Sequence, residues 1–202
     1  MRAKEYIALL VLLCSVVFVQ GICADSYSTF ETTKYYSANR RYLVIVTEKK
    51  RATLYRNGRK LQRVWSRTLS ALPQKLFVTN DGKRVAIVDR YYGNGGFPNA
   101  PVVMVLGENG NQISIHLLGD LANLKRVVRT TSAVHWYGEA KLDPSGEILI
   151  IITDVTKRDW DECSRNTRPE EMVKCGETVP YQQLRFALSS GKLIERVNLA
   201  SR

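Results

Sequence analysis

Apolar residues in this chain come in short dense runs, each entered through a turn and followed by strands of looser pattern. Tyr42-Leu43-Val44-Ile45-Val46, Val85-Ala86-Ile87-Val88 and Ile148-Leu149-Ile150-Ile151-Ile152 are apolar at successive positions. Such a run predicts a strand covered on both faces. By contrast, Ile113, Ile115 and Leu117 alternate with Ser114, His116 and Leu118, as in a strand with one wetter face. The dense runs follow the turns Asn39-Arg40-Arg41, Asp81-Gly82-Lys83 and Ser145-Gly146-Glu147, and a second turn follows each at Gly58, Gly110 or Gly191. One grammar therefore recurs three times, over about 34–69, 74–118 and 139–199. A repeat of this kind sets architecture before any single motif does.

Each repeat predicts four strands. They fall at Lys34–Ala38, Arg41–Thr47, Ala52–Arg56 and Lys60–Thr68; Lys75–Thr79, Arg84–Asp89, Val102–Leu106 and Gln112–Leu118; and Glu139–Asp143, Glu147–Asp154, Gln183–Leu188 and Leu193–Leu199. Asn-Gly and Asp-Gly turns suit tight hairpins because glycine, and to a lesser degree asparagine, tolerates positive φ. Between the second and third repeats, Leu121, Leu124 and Val128 share one face of a short helix expected over 120–128.

The segment from Phe77 to Asp89, Phe-Val-Thr-Asn-Asp-Gly-Lys-Arg-Val-Ala-Ile-Val-Asp, resembles the core of a YVTN-type repeat, and Val102 to Leu118 resembles the rest of a blade. Leu142-Asp143-Pro144-Ser145-Gly146 matches more loosely, and the first repeat more loosely still. The chain thus resembles the β-propeller repeat families, WD40-like and YVTN-like, as found in small exported bacterial proteins of uncharacterised function. The resemblance implies an all-β fold of three four-stranded antiparallel propeller-like meanders. Closed propellers have four or more blades, so the expected ring is incomplete or atypical. An open edge needs cover, from segment 119–138 or from a second subunit in a homo-oligomer.

The N-terminus reads as a secretory signal over 1–24. Arg2 and Lys4 precede an apolar run of thirteen residues from Ile7 to Val19, and Gly21-Ile22-Cys23-Ala24 offers small residues for cleavage after Ala24. The run is shorter than the ~20 residues that span a bilayer, and no later transmembrane segment is expected. Export places the protein in the periplasm or outside the cell. Residues 25–33 form a Ser/Thr-rich lead-in before a single domain over 34–202. Export also exposes Cys163 and Cys175, in a polar loop, to oxidising conditions, so a disulfide between them is expected.

Charge narrows the partner. The formal net charge is +11, and from Arg40 to Arg67 ten Lys and Arg residues face only Glu48, a local +9. Such a concentration attracts anions. It also blunts a sheet edge, although +9 exceeds what edge protection requires. Arg56, Arg59, Lys60 and Arg63 are the candidate binding cations. The partner expected is a protein or an anionic envelope component. Export, and the lack of a nucleic-acid-binding signature, argue against nucleic acid.

The two turns of each repeat lie 18, 28 and 45 residues apart, so the added length enters between the second and third strands. Those insertions carry Tyr91, Tyr92 and Trp160, which either form a recognition surface or plug the end of the domain. Catalytic motifs are sparse: there is no Gly-x-Ser-x-Gly elbow, His-Glu-x-x-His pair or phosphate loop. Asp159, Asp161 and Glu162 lack the spacing of a calcium loop, and no cofactor or metal is expected. The reading is a non-enzymatic binding or scaffolding module. The competing one is a hydrolase or lyase of an envelope polymer, using His135 with Asp89 or Glu139.

Overall fold

The structure is a computed structural model and describes residues 31–89, 97–129, 134–158, 165 and 177–199. Residues 1–24, read above as a signal, and Tyr91, Tyr92, Trp160, Cys163 and Cys175 lie outside these residues.

Three four-stranded antiparallel meanders make up the fold, each with its strands in chain order. The first contains β1 (Thr33–Tyr36), β2 (Tyr42–Val46), β3 (Arg51–Arg56) and β4 (Gln62–Thr68). The second contains β5 (Lys75–Val78), β6 (Val85–Val88), β7 (Pro101–Leu106) and β8 (Gln112–Leu117). After a one-turn helix α1 (Leu118–Leu121) comes a small hairpin of β9 (Val128–Arg129) and β10 (Val134–His135). The third sheet contains β11 (Tyr137–Leu142), β12 (Ile148–Thr156), β13 (Thr178–Ala187) and β14 (Lys192–Asn198). The blade-like order predicted by the repeats is present three times, and the three sheets do not close a ring.

The first turn of each sheet is tied by the same chemistry. Ser37 Oγ donates to Asn39 Oδ1 at 2.8 Å and accepts the Tyr42 N–H at 3.0 Å. Thr79 Oγ1 likewise donates to Asp81 Oδ1 at 2.6 Å and accepts the Arg84 N–H at 3.0 Å. In the third sheet the carboxylate comes first: Ser145 Oγ donates to Asp143 at 2.8 Å, and Asp143 Oδ1 accepts the Ile148 N–H at 3.0 Å. A left-handed residue completes each turn, Arg40 (φ 56°), Gly82 (φ 71°) and Gly146 (φ 76°).

Those bonds make the turns sensitive to acid. At Asp81 desolvation pushes the pKa up, but the Thr79 hydroxyl, the Lys83 N–H and the Lys83 charge outweigh it and hold the carboxyl below its ordinary 3.8. Asp143 is lowered in the same way, desolvation being outweighed by the Ile148 N–H, Ser145 and the Glu147 N–H. A carboxyl depressed in the folded state adds stability that is present above its unfolded pKa and lost as pH falls through the folded value. Because Asn39 does the same work in the first sheet without titrating, Asp81→Asn is expected to keep the turn. The melting temperature of the variant should fall less than that of the wild type below about pH 4. Equal losses would show that the Asp81 bonds do not contribute.

Packing follows from alternation along the central strands. Val85 and Ile87, with Leu76, Val78 and Leu106, pack against Val44, Val46, Leu54 and Trp65 of the first sheet. The residues between them, Ala86 and Val88, face Leu149, Ile151, Leu184 and Phe186 of the third sheet, with Trp136 in the same cluster. The middle sheet is therefore buried on both faces, as its dense apolar run predicts. The outer sheets differ. Ile148, Ile150 and Ile152 are only half-buried, because no further sheet among the described residues packs there. Instead, the pairs Lys141–Glu139 and Arg185–Glu195 flank that stripe.

One expectation shifts. The short helix exists but occupies Leu118–Leu121, with Leu118 and Leu121 buried, and Val128 is in a strand. Asn123 ends the helical course: its backbone carbonyl accepts the Arg126 N–H at 2.9 Å and its side chain accepts the Lys125 N–H at 3.3 Å. Asparagine offers such local bonds in competition with the helix. His116 is on the outer strand β8, across from Val103. It joins two sheets, with Nε2 2.7 Å from the Gly191 carbonyl and its ring edge-on to Phe186 at 4.9 Å. Arg67 makes the equivalent join one sheet earlier, donating to the Gly110 carbonyl at 2.7 Å.

Candidate functional site: a basic hairpin at one end of the first sheet

Strand direction sorts the connections into two ends. The turns between first and second strands, and between third and fourth, share one end; the second-to-third connections and the links between sheets share the other. Arg56 ends β3, and Arg59 and Lys60 are in the β3–β4 turn at the first end. The long insertions leave from the opposite end, where β6 stops and β7 begins. Tyr91, Tyr92 and Trp160 lie outside the described residues, and the strand ends that flank their segments are opposite the basic turn.

Asn57 builds the basic site. Its N–H donates to the Arg41 carbonyl at 2.7 Å, and its Nδ2 donates to the Arg40 carbonyl at 2.9 Å. These two bonds dock the β3–β4 turn against the β1–β2 turn and bring both sets of cations together. A shallow cleft of about 340 Å³ lies there, lined by Arg56, Asn57, Gly58, Arg59, Lys60 and Gln62. Arg63, the second residue of β4, stands across from Tyr55. Arg40 lies 5.9 Å from the centre of the Tyr36 ring, and Tyr36 is 49% exposed. Arg40 and Arg41 join the site only through Asn57. Their sequence neighbourhood marks charge but not that contact.

Charge balance sets this surface apart. Ion pairs between described residues are Lys141–Glu139, Lys157–Glu177 and Arg185–Glu195, all in or beside the third sheet. Among the described residues none involves a cation of the first sheet. Glu48, the acidic residue of the first repeat, belongs to the β2–β3 turn at the far end. The exposed cations Arg40, Arg41, Arg56, Arg59, Lys60 and Arg63 therefore present a field that no described carboxylate compensates by an ion pair.

The far end carries different chemistry. Trp136 Nε1 donates to the Asp89 carbonyl at 2.9 Å, and Tyr137 donates its hydroxyl to Gln74 Oε1 at 3.2 Å. Burial, and then the Asp89 charge, raise the Tyr35 phenol pKa. A cavity beside Asp89 holds about 50 Å³, the scale of water and well below the roughly 300 Å³ at which ligand pockets begin. His135 pairs with Val128 in the small hairpin, whereas Glu139 projects to the outer face of the third sheet and binds Lys141 at 2.9 Å. Asp89 and Glu139 are thus on different sides of that sheet. Among the described residues no cluster of three potential metal ligands occurs, and no helix is long and apolar enough to cross a membrane.

No protein-family model and no curated protein matches the chain. Solved structures do match. Hydrazine synthase of Kuenenia stuttgartiensis aligns with a TM-score of 0.43 and 12% identity over 82% of this chain and 36% of its own. The β-propeller domain of Cps50 (Swd1) from Myceliophteria thermophila gives 0.39 and 11% over 84% and 43%. BamB from Moraxella catarrhalis gives 0.35 and 10% over 81% and 60%. The chain spans less than two thirds of each of these structures. They differ in what they do, and the propeller-like character of this chain rests on its own three meanders.

Proposed function

We propose that the protein is an exported, non-enzymatic binding module that holds an anionic partner on the basic hairpin of its first sheet. The partner class is an acidic envelope component or a protein with an acidic face. The observation that carries this reading is the set of six exposed cations around Asn57, none paired with a described carboxylate. Guanidinium and ammonium groups held on a docked pair of turns recognise carboxylate, sulfate or phosphate with little ordering cost. The insertion end, with Tyr91, Tyr92 and Trp160, is the second surface through which such a module contacts a protein.

Binding of the purified chain to anionic polysaccharides and to vesicles with anionic lipid, across a salt series, tests this. A variant with Arg56, Arg59, Lys60 and Arg63 changed to Ser is expected to bind about thirty-fold more weakly at low salt. Its salt dependence should also be shallower. Binding that is unchanged in the variant, or insensitive to salt, would remove the hairpin from the account.

A further inference from the structure

The receiving side of the first sheet has a socket that nothing within the described chain fills. Strand register gives Trp65, Ser114 and Glu195 the same place on the last strands of the three sheets. They pair with Leu54, Val105 and Arg185, which pair in turn with Val44, Ala86 and Ile150. Trp65 of the first sheet packs on the Gly110 turn of the second, where a Cβ would stand 3.0 Å from its ring. Ser114 of the second sheet packs on the Gly191 turn of the third, where a Cβ would overlap the hydroxyl. The remaining glycine of the series, Gly58, meets nothing nearer than the Lys60 carbonyl at 3.8 Å, and its backbone is not left-handed. By position, Glu195 is the residue that would fill it.

The faces repeat the pattern. Ile150 and Ile152 hold the places that Val44 and Val46, then Ala86 and Val88, use to pack on the next sheet. Leu43 and Ile45 hold the places with which Val85 and Ile87, then Leu149 and Ile151, receive the previous one. Leu43 is already buried within the chain, so Ile45 is the half-buried residue that a second copy would cover. The array thus ends in one inserting face and one receiving face. Glu139 and Glu195 share the inserting face with Lys141 and Arg185, to which they are paired. Lys34 stands on the receiving face, and Arg59 and Lys60 line the cleft at Gly58, so the join requires the two carboxylates to exchange partners.

We propose that two copies of this chain associate head to tail, each third sheet against the other copy's first sheet, closing a ring of six sheets. Closed propellers hold about four to eight blades. The described residues supply three four-stranded sheets, which is too few. Two copies fall within the range, and three copies exceed it. The same contact made twice closes on itself. It is more polar than the joins within a chain. Arg40 replaces the glycine found at positions 82 and 146, and the Lys141–Glu139 and Arg185–Glu195 pairs flank the isoleucine stripe. Salt therefore weakens it. This association does not depend on polymer binding. Because both use Arg59 and Lys60, a polyanion competes with the second copy.

Sedimentation equilibrium of the chain purified from an exporting host, without polymer, is the test. The expected result is twice the chain mass at low salt, falling to one chain as salt rises. Gly58→Trp, which fills the socket, and Glu195→Lys should each leave a folded monomer, judged by an unchanged circular dichroism spectrum. Mixing Glu195→Lys with an Arg59→Glu, Lys60→Glu chain should restore a dimer containing one of each, since both contacts then pair opposite charges. A monomer at low salt, a dimer indifferent to both single variants, or a mixture that stays monomeric would each overturn the proposal.

Discussion

Trp136→Ala is expected to cost about 3–5 kcal/mol and to loosen the join between the second and third sheets. The indole is fully buried in the larger apolar cluster, edge-on to Tyr137 at 5.1 Å, and its N–H satisfies the Asp89 carbonyl. Alanine removes both the packing and the hydrogen bond to Asp89. With total stability on the order of 5–15 kcal/mol, such a variant would be at the margin of folding. Trp136→Phe keeps most of the volume and is expected to cost about 1–3 kcal/mol, chiefly through the lost hydrogen bond to Asp89. Urea titration should show the midpoint falling in that order while the slope is unchanged. A loss below about 1 kcal/mol for the alanine variant would place Trp136 outside the cooperative core.

The second large effect belongs to Gly82→Val. Its φ of 71° disfavours any residue with a Cβ, and a Cβ there would overlap the Tyr42 ring of the first sheet. The conformational penalty is about 1–2 kcal/mol, and the overlap adds roughly 1–3 kcal/mol, so a total near 3 kcal/mol is expected. Gly58→Val, in an open and ordinary backbone position, should change stability by less than about 0.5 kcal/mol. Combining Gly82→Ala with Tyr42→Ala separates the causes, since removing the ring relieves the overlap but not the φ penalty. Strong coupling in that cycle would show that the first and second sheets touch there. Simple additivity would show that they do not.

The meander order and most strand limits were legible because hairpin turns and dense apolar runs are local signals. Val85–Val88 reads as doubly covered and is. Ile148–Ile152 carries the same pattern, yet its outward isoleucines are half-buried and flanked by ion-paired Lys141 and Arg185. A run of apolar residues does not reveal whether a neighbouring sheet or the side chains of its own sheet supply the cover. The spacing of Leu121, Leu124 and Val128 suggested one helix face, but the turn bonds of Asn123 intervened. At the candidate site, the cation cluster was plain in the sequence. Its geometry was not, because two bonds from Asn57 bring Arg40 and Arg41 to Arg56, Arg59 and Lys60 across a gap in sequence. His116 shows the same limit, since its partner Gly191 is 75 residues away.

The basic hairpin and the insertion end occupy opposite ends of the fold, so a footprint separates them. Amide hydrogen exchange with and without a bound anionic polysaccharide, at low salt, tests the central claim most directly. The account expects new protection at 40–42 and 56–64, and little change at 86–89 and 134–137. Protection confined to the insertion end, with exchange at the β3–β4 turn unchanged, would contradict it.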